Sequence, residues 1–165
     1  MSDITFVLRL LAALGSGLIG GLFFAFSVSV MGALARIQPA EGIAAMQSIN
    51  RVILNPVFFL AFFGTALVCL LIAVASLLNW SGAGAGYALA GAALYLVGSI
   101  AVTIVFNVPL NNALAAASAS TSEGVAVWAN YLANWVPWNH VRTVACLAAS
   151  ALLTIAIYVQ GRAAG

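Results

Sequence analysis

The sequence has no lysine, and five arginines and three acidic residues are its only fully charged side chains at neutral pH. Proteins that bind nucleic acid need a basic surface to neutralise phosphates, so this shortage of charge excludes that class. The residues are 65% hydrophobic and the mean hydropathy is +1.16. A soluble domain of this size cannot bury so much apolar surface. We therefore expect one domain, residues 1–165, that is largely surrounded by lipid.

Residues that form cross-links or bind metal ions are also scarce. The two cysteines, Cys69 and Cys146, do not make a disulfide framework, and we interpret both as small packing residues. With one histidine, His140, and three carboxylates, a zinc site or a non-haem iron site lacks ligands. The sequence therefore requires no cofactor. Haem binding stays open, because one axial histidine is sufficient.

The chain does contain four long apolar runs, at about residues 4–34, 52–78, 85–106 and 140–160. Each is close to or above the roughly 20 residues that a helix needs to cross a bilayer. Lipid tolerates only helices or closed barrels, and the runs lack the alternation of barrel strands. The sequence predicts an all-α, integral membrane four-helix bundle. The first run is too long for a signal-peptide core, so we expect it to remain as a span.

Four spans place both termini on the same side of the cell membrane, together with a short Gly- and Ser-rich turn. The opposite side holds two longer loops. In the first, residues 39–50 (PAEGIAAMQSIN) begin with Pro39 and Glu41, which suit a first helical turn. Ile43, Met46 and Ile49 follow at helical spacing. This pattern predicts a short interfacial helix.

The second long loop, at about residues 107–139, contains Trp128, Trp135 and Trp138. Tryptophan favours the headgroup layer of a bilayer, so we interpret these three as an aromatic belt on the membrane surface. In the first span, Gly17 and Gly21 form a small-xxx-small pair that allows helices to approach closely. We expect this pair to pack inside the bundle or to join two copies in a homo-oligomer.

Polar side chains are concentrated at the long-loop ends of three spans, where each set follows a helical spacing. The sets are Asn139, Arg142, Thr143 and Cys146 on the fourth span, Ser99, Thr103 and Asn107 on the third, and Arg51 and Asn55 on the second. Polar groups within membrane spans are by default functional candidates. We expect the three sets to converge on one pocket.

Each of these residues also has a purely structural interpretation, which the sequence leaves open. Asn55 and Asn107 each stand close to a proline, and their amides could cap interrupted helix ends. Arg142 could reach lipid phosphates, and His140 could bond a backbone carbonyl near a helix start. An arginine near a histidine favours the neutral imidazole, which can accept a proton near neutral pH.

Four stretches carry a family resemblance: GLFFAFSVSVM (21–31), the AMQSIN–NP segment (45–56), VTIVFNVPLNNAL (102–114) and WNHVRT (138–143). They are similar to the anthrone oxygenase family, a group of small four-span membrane proteins. The resemblance reaches three of the four spans and both long loops. It implies oxidation of an anthrone to an anthraquinone with molecular oxygen.

With that resemblance, the polar cluster becomes a candidate active site for a lipophilic aromatic substrate and O2 within membrane lipid. His140 would be the general base that takes the methylene proton, and Arg142 would stabilise the resulting oxyanion. The remaining residues would bind the substrate; these are Asn55, Asn107, Asn111, Asn139, Trp138, Phe24 and Phe59.

A second hypothesis is a non-catalytic membrane module that binds a lipid, haem or a partner helix. The glycine-rich first span favours this module, whereas the cluster of histidine, arginine and asparagine favours the enzyme. Transport is disfavoured, because the short-loop half of each span is almost wholly apolar and offers no polar path.

Overall fold

The computed structural model describes residues 3–164, and this part of the chain is helical almost throughout, with no strand. The helices are α1 (Asp3–Ala25), α2 (Met31–Leu34), α3 (Pro39–Val52), α4 (Pro56–Leu78), α5 (Ala85–Tyr95), α6 (Val108–Ala116) and α7 (Ser122–Ala164). Three π-helical segments connect some of them without a break: Phe26–Val30 between α1 and α2, and Leu96–Ala101 and Thr103–Asn107 between α5 and α6.

Within residues 3–164, four helical stretches are long and apolar enough to cross a membrane. They are span one (Ile4–Leu34), span two (Pro56–Leu78), span three (Ala85–Ala116) and span four (Ser122–Ala163). Spans one and three each pack against both span two and span four, which closes a four-helix ring. The predicted all-α, multi-pass membrane bundle is confirmed.

The last helix, α7, is much longer than a bilayer requires. Its 43 residues correspond to about 65 Å at about 1.5 Å per residue, against roughly 30 Å of hydrocarbon. Part of α7 must therefore extend past the hydrocarbon. The sequence placed residues 107–139 in a loop, whereas the structure shows α6 and the first half of α7 there. These residues are helical because they pack against α3 rather than against lipid.

Two hydrophobic cores hold the helices together. The first lies among the spans and includes Phe62, Tyr95 and Leu153. Cys69 and Cys146 are free thiols buried in this same core, in keeping with the predicted packing role. The second core lies at the other end, where α3 and α6 meet the first half of α7; its buried members are Met31, Ile43, Met46, Leu114, Trp128, Tyr131 and Trp135.

The second core explains both long-loop predictions. The helix expected over residues 39–50 is present as α3, and its apolar residues Ile43 and Met46 pack against protein. The aromatic belt is wrong for Trp128 and Trp135, since each is only 4% exposed. Their rings lie next to Tyr131 in a stacked series, with centroids 5.7 and 5.6 Å from its ring. Aromatic side chains suit a buried core as well as a bilayer surface, so composition alone does not separate the two.

The turn between α4 and α5 depends on one glycine. Gly84 adopts φ = 76°, a backbone conformation that favours glycine. A Cβ atom at this position would lie 2.6 Å from the carbonyl oxygen of Ala156. Gly84 therefore lets this turn close over the C-terminal part of α7.

The glycines of α1 face different surroundings. A Cβ atom on Gly15 would lie 3.1 Å from both Cβ and Cγ2 of Thr65, and one on Gly17 would lie 3.3 Å from Oγ of Ser150. A Cβ atom on Gly21 would have nothing within 4 Å. Gly17 thus packs inside the chain, and the expected contact between two copies through Gly17 and Gly21 stays a prediction.

We expect Gly15→Ala to lower the free energy of unfolding by about 1–3 kcal/mol, because Thr65 is branched at Cβ and rotation does not clear the added methyl group. Gly21→Ala is the matched control in the same helix. It should raise the free energy of unfolding by up to about 1 kcal/mol through helix propensity. Thermal unfolding in detergent measures both. Equal effects would mean that the α1–α4 contact is looser than described.

Candidate functional site

Arg142 is buried between spans one, three and four, with only 5% of its surface exposed. Its Nη2 donates to Oδ1 of Asn139 at 2.6 Å, and its Nη1 donates to Oγ1 of Thr103 at 3.2 Å. The guanidinium also lies 4.1 Å from the centre of the Phe23 ring and 5.1 Å from that of Trp135. Aromatic faces attract cations, so neutral groups on every side hold this charge.

Asn139 fixes the position of Arg142. It is fully buried, and its Nδ2 donates to the Phe23 carbonyl oxygen at 2.8 Å and to Oγ of Ser27 at 2.7 Å. The backbone carbonyl of Asn139 accepts from Oγ1 of Thr143 at 2.9 Å. One asparagine thereby joins span one to span four and orients the guanidinium. Ser27 belongs to a π-helical segment, a distortion that is frequent at functional sites.

A cavity of about 110 Å³ adjoins the guanidinium at the long-loop end of the bundle. Aromatic and aliphatic side chains form most of its wall, and Leu54, 61% exposed, stands at its mouth. The lining residues are Leu22, Phe23, Phe26, Met46, Ile49, Asn50, Ile53, Leu54, Phe58, Thr103, Val108, Asn111, Trp135 and Arg142.

Three of the lining residues carry a buried hydrogen-bond donor that has no partner among residues 3–164. These donors are Nδ2 of Asn50, Nε1 of Trp135 and Nε of Arg142. A buried donor without a partner costs about 1–3 kcal/mol, so three around one cavity need an explanation. A ligand that brings oxygen acceptors is one way to satisfy donors in this lining.

The structure brings together the polar sets of spans three and four, but not Arg51 and Asn55 of span two, which the spacing had also directed to the pocket. Besides the contact between Arg142 and Thr103, Nδ2 of Asn107 donates to the carbonyl oxygen of Trp135 at 3.2 Å. Asn111 lines the cavity, and its Oδ1 accepts from the Tyr131 hydroxyl at 2.8 Å. Four predicted site residues therefore lie in or beside this site: Asn107, Asn111, Asn139 and Arg142.

His140 lies elsewhere, which corrects the expectation that it shares a pocket with Arg142. It is exposed, in a groove of about 680 Å³ between α5 and α7. Apart from His140, the groove is lined by Ala90, Ala93, Leu94, Val97, Gly98, Val141, Val144, Ala145 and Ala148. Residues two positions apart on a helix do not face the same way. Within the described residues, His140 joins no group of three metal-binding side chains.

Four of the predicted substrate-binding residues, like the predicted base His140, lie outside the cavity. Asn55 caps α4, and its Oδ1 accepts from the Phe58 N–H at 3.0 Å. Trp138 stacks on Phe106, with ring centroids 3.6 Å apart. Phe24 and Phe59 are 50% and 39% exposed. Their preceding neighbours, Phe23 and Phe58, line the cavity instead, because consecutive helical positions point about 100° apart.

Some site residues carried no distinctive sequence signal. In the sequence, Ser27 is one small residue within an apolar span. Its position four residues after Phe23 does place both side chains on one helix face. Trp135 stands four residues before Asn139, so these two side chains also lie on one helix face. Extending the polar set of span four back by one turn would have included Trp135. Asn50 belongs to α3. It lies at the cavity because the second core packs α3 against the other helices.

Fold and cavity together define a small multi-pass membrane protein with a cationic, aromatic-lined site at one end of its helical bundle. The family model described as anthrone oxygenase matches residues 58–152, which is more than half of the chain. The chain belongs to the anthrone oxygenase family, as the sequence resemblance predicted. No curated protein and no solved structure matches the chain.

We expect Trp135→Phe to lower the free energy of unfolding by only about 1–2 kcal/mol, because the lost core volume is partly offset by removal of an indole N–H that has no partner in the described structure. Asn139→Ala should lower the free energy of unfolding by about 2–4 kcal/mol, because it removes several buried hydrogen bonds at once. Thermal unfolding in detergent compares the two variants. A loss for Trp135→Phe as large as that for Asn139→Ala would contradict this ranking.

Proposed function

We propose that this protein is a membrane oxygenase that oxidises a lipophilic, anthrone-type aromatic to a quinone with O2, in the cavity beside Arg142. Membership of the anthrone oxygenase family supports an oxygenase-like function. The observation that carries the site assignment is a buried guanidinium with only neutral partners, next to a cavity whose lining holds three donors without partners. Such a site favours a flat, apolar ligand with an oxygen that becomes negatively charged.

The chemistry begins with the acidity of the substrate. Loss of one proton from the central methylene of an anthrone gives an aromatic phenolate, with the charge on the former carbonyl oxygen. Arg142 would donate hydrogen bonds to that oxygen and stabilise the anion more than the neutral ketone. The cation is more effective in this low-dielectric cavity than it would be in water.

Oxygen then reacts with the electron-rich anion. A new C–O bond forms at the former methylene carbon, and the terminal peroxide oxygen takes up a proton. Loss of the remaining C–H proton and cleavage of the O–O bond release water and leave the second carbonyl group. One O2 is thereby consumed for each anthrone, and the products are one quinone and one water.

No lining residue of the cavity is a base at neutral pH, so the first proton would have to pass to an acceptor from solution, such as water or hydroxide. His140 could act as the base only on a substrate bound in its own groove. The positions of Arg142 and His140 therefore define two alternative binding places on opposite sides of α7. The lining of the cavity includes hydrogen-bond donors and a cation, which favour the oxyanion, whereas the groove is otherwise apolar.

The size of the cavity limits how the substrate lies. Its volume of about 110 Å³ is close to the roughly 150 Å³ of an apolar protein cavity that binds benzene. The cavity is the smaller of the two, so it holds at most one aromatic ring and three fused rings do not fit. Substrate binding therefore requires the mouth between Ile53 and Leu54 to widen, with the outer rings directed toward lipid.

We expect Arg142→Gln to lower kcat/KM for a simple anthrone by about 10²–10³, the usual effect of removing an oxyanion donor. His140→Gln should stay within about twofold of the unmodified protein. Oxygen consumption by detergent-purified protein measures both, with autoxidation of the anthrone subtracted. Melting temperatures of the two variants show that each remains folded.

The opposite pattern, with activity lost in His140→Gln and kept in Arg142→Gln, would place the substrate in the groove and overturn the cavity assignment. Absence of turnover in the unmodified protein would contradict the anthrone-type substrate. A visible absorption spectrum of the same sample tests the non-catalytic alternative, because bound haem would give an intense band.

A further inference from the structure

A second buried arginine, Arg9, lies at the opposite end of the bundle. It is 7% exposed, and its Nη1 donates to Oε1 of Gln160 at 2.7 Å. The same nitrogen lies 3.1 Å from the carbonyl oxygen of Ala156 and 3.4 Å from that of Ala83. All three acceptors are neutral. The positive charge of Arg9 is therefore held by dipoles alone at these contacts.

Arg9 borders a cavity of about 330 Å³, three times the volume of the one beside Arg142. Spans one and two, the turn between α4 and α5, and the end of α7 enclose it. Hydroxyl and amide side chains alternate with small apolar residues in its wall. The lining residues are Thr5, Leu8, Arg9, Ile72, Ala75, Ser76, Asn79, Gly82, Ala83, Ala85 and Gln160.

The hydrogen bonds of Arg9 use only part of its guanidinium. A guanidinium has five N–H donors in a planar fork, and the contacts with Gln160, Ala156 and Ala83 all involve Nη1. Nη2 and Nε form no hydrogen bond with residues 4–163, the range whose side chains are described. This pair of nitrogens is the edge of the fork that binds two oxygens of a phosphate or carboxylate at once.

The position of the pocket favours phosphate. It lies beside the turn from Asn79 to Gly84, where two spans end, and Trp80 in that turn is 63% exposed. Exposed tryptophan at the end of a span is typical of the lipid headgroup layer. Lipid phosphates lie in this layer. We propose that the Arg9 pocket binds a phosphate group, supplied by a phospholipid headgroup or by inorganic phosphate.

One wall of the pocket is fixed by a close backbone contact. Gly84 allows the turn to lie against α7, since a Cβ atom there would be 2.6 Å from the Ala156 carbonyl oxygen and 3.2 Å from Nη1 of Arg9. The backbone of the turn thus closes one side of the pocket and supplies the Ala83 carbonyl to Arg9. A site whose walls are already in place loses little conformational entropy on binding.

Native mass spectrometry of the detergent-purified full chain tests this site. The probes are phosphatidylglycerol, diacylglycerol as the same lipid without its phosphoglycerol headgroup, and inorganic phosphate. We expect one phosphatidylglycerol to bind per chain, and diacylglycerol to bind at least about tenfold more weakly, since a charged hydrogen-bonded contact is lost. Arg9→Gln should weaken phosphatidylglycerol binding by a similar factor.

Two further variants make the result specific. Arg162→Gln is the matched control, because it removes the same charge from an exposed arginine at the end of α7 and should leave binding unchanged. Ala75→Phe fills the cavity from an exposed helix position without altering Arg9, so it should also abolish binding. This variant keeps the test decisive if Arg9→Gln does not fold.

The outcomes separate the possible ligands. Arg9-dependent binding of phosphatidylglycerol supports a lipid headgroup, and Arg9-dependent binding of inorganic phosphate alone supports the same site with a free anion. Equal binding of diacylglycerol and phosphatidylglycerol, or equal losses in Arg9→Gln and Arg162→Gln, would overturn the proposal. None of these results depends on oxygenase activity, so they also stand apart from the function proposed for the Arg142 cavity.

Discussion

The hydrogen bond between Asn139 and Arg142, 2.6 Å long, is the contact on which the long-loop end of the bundle depends. A charge without polar partners is unstable away from water, and the amide of Asn139 also joins span one through Ser27 and Phe23. Without this amide, the guanidinium would lose its orientation and span one would lose its polar link to span four. Both functions therefore reside in one fully buried side chain beside the cavity.

Each end of the bundle holds a buried arginine that is hydrogen-bonded to neutral groups, but the surroundings of the two arginines differ. Arg142 is held by side-chain amide and hydroxyl groups and by two aromatic faces, in a small cavity. Arg9 is held by backbone carbonyls and one glutamine, beside a cavity about three times larger. Between them lies the apolar first core. Since no polar path through this core connects the two cavities, we interpret the two arginines as binding separate ligands.

Hydropathy was sufficient to predict the four spans, because lipid requires long apolar helices. It could not predict the length of α7, since residues 122–139 are stabilised by packing against α3 and α6. Spacing correctly grouped Asn139 with Arg142, yet it does not give the rotation of a helix about its own axis. Phe23 rather than Phe24 lines the cavity for that reason. The separation of His140 from Arg142, in contrast, follows from their two-residue spacing alone.

The chain order of the helices has a consequence for biosynthesis. Arg142 lies on the last of the four spans to leave the ribosome, whereas Ser27 and Thr103, which complete its polar surroundings, lie on spans one and three. An arginine in an isolated apolar helix raises the free energy of membrane insertion, by about 2.5–3.5 kcal/mol at the bilayer centre and by less toward its ends. Here the earlier spans can offer a preformed polar surface as span four arrives. Insertion of span four and closure of the helical ring are thus expected to occur together.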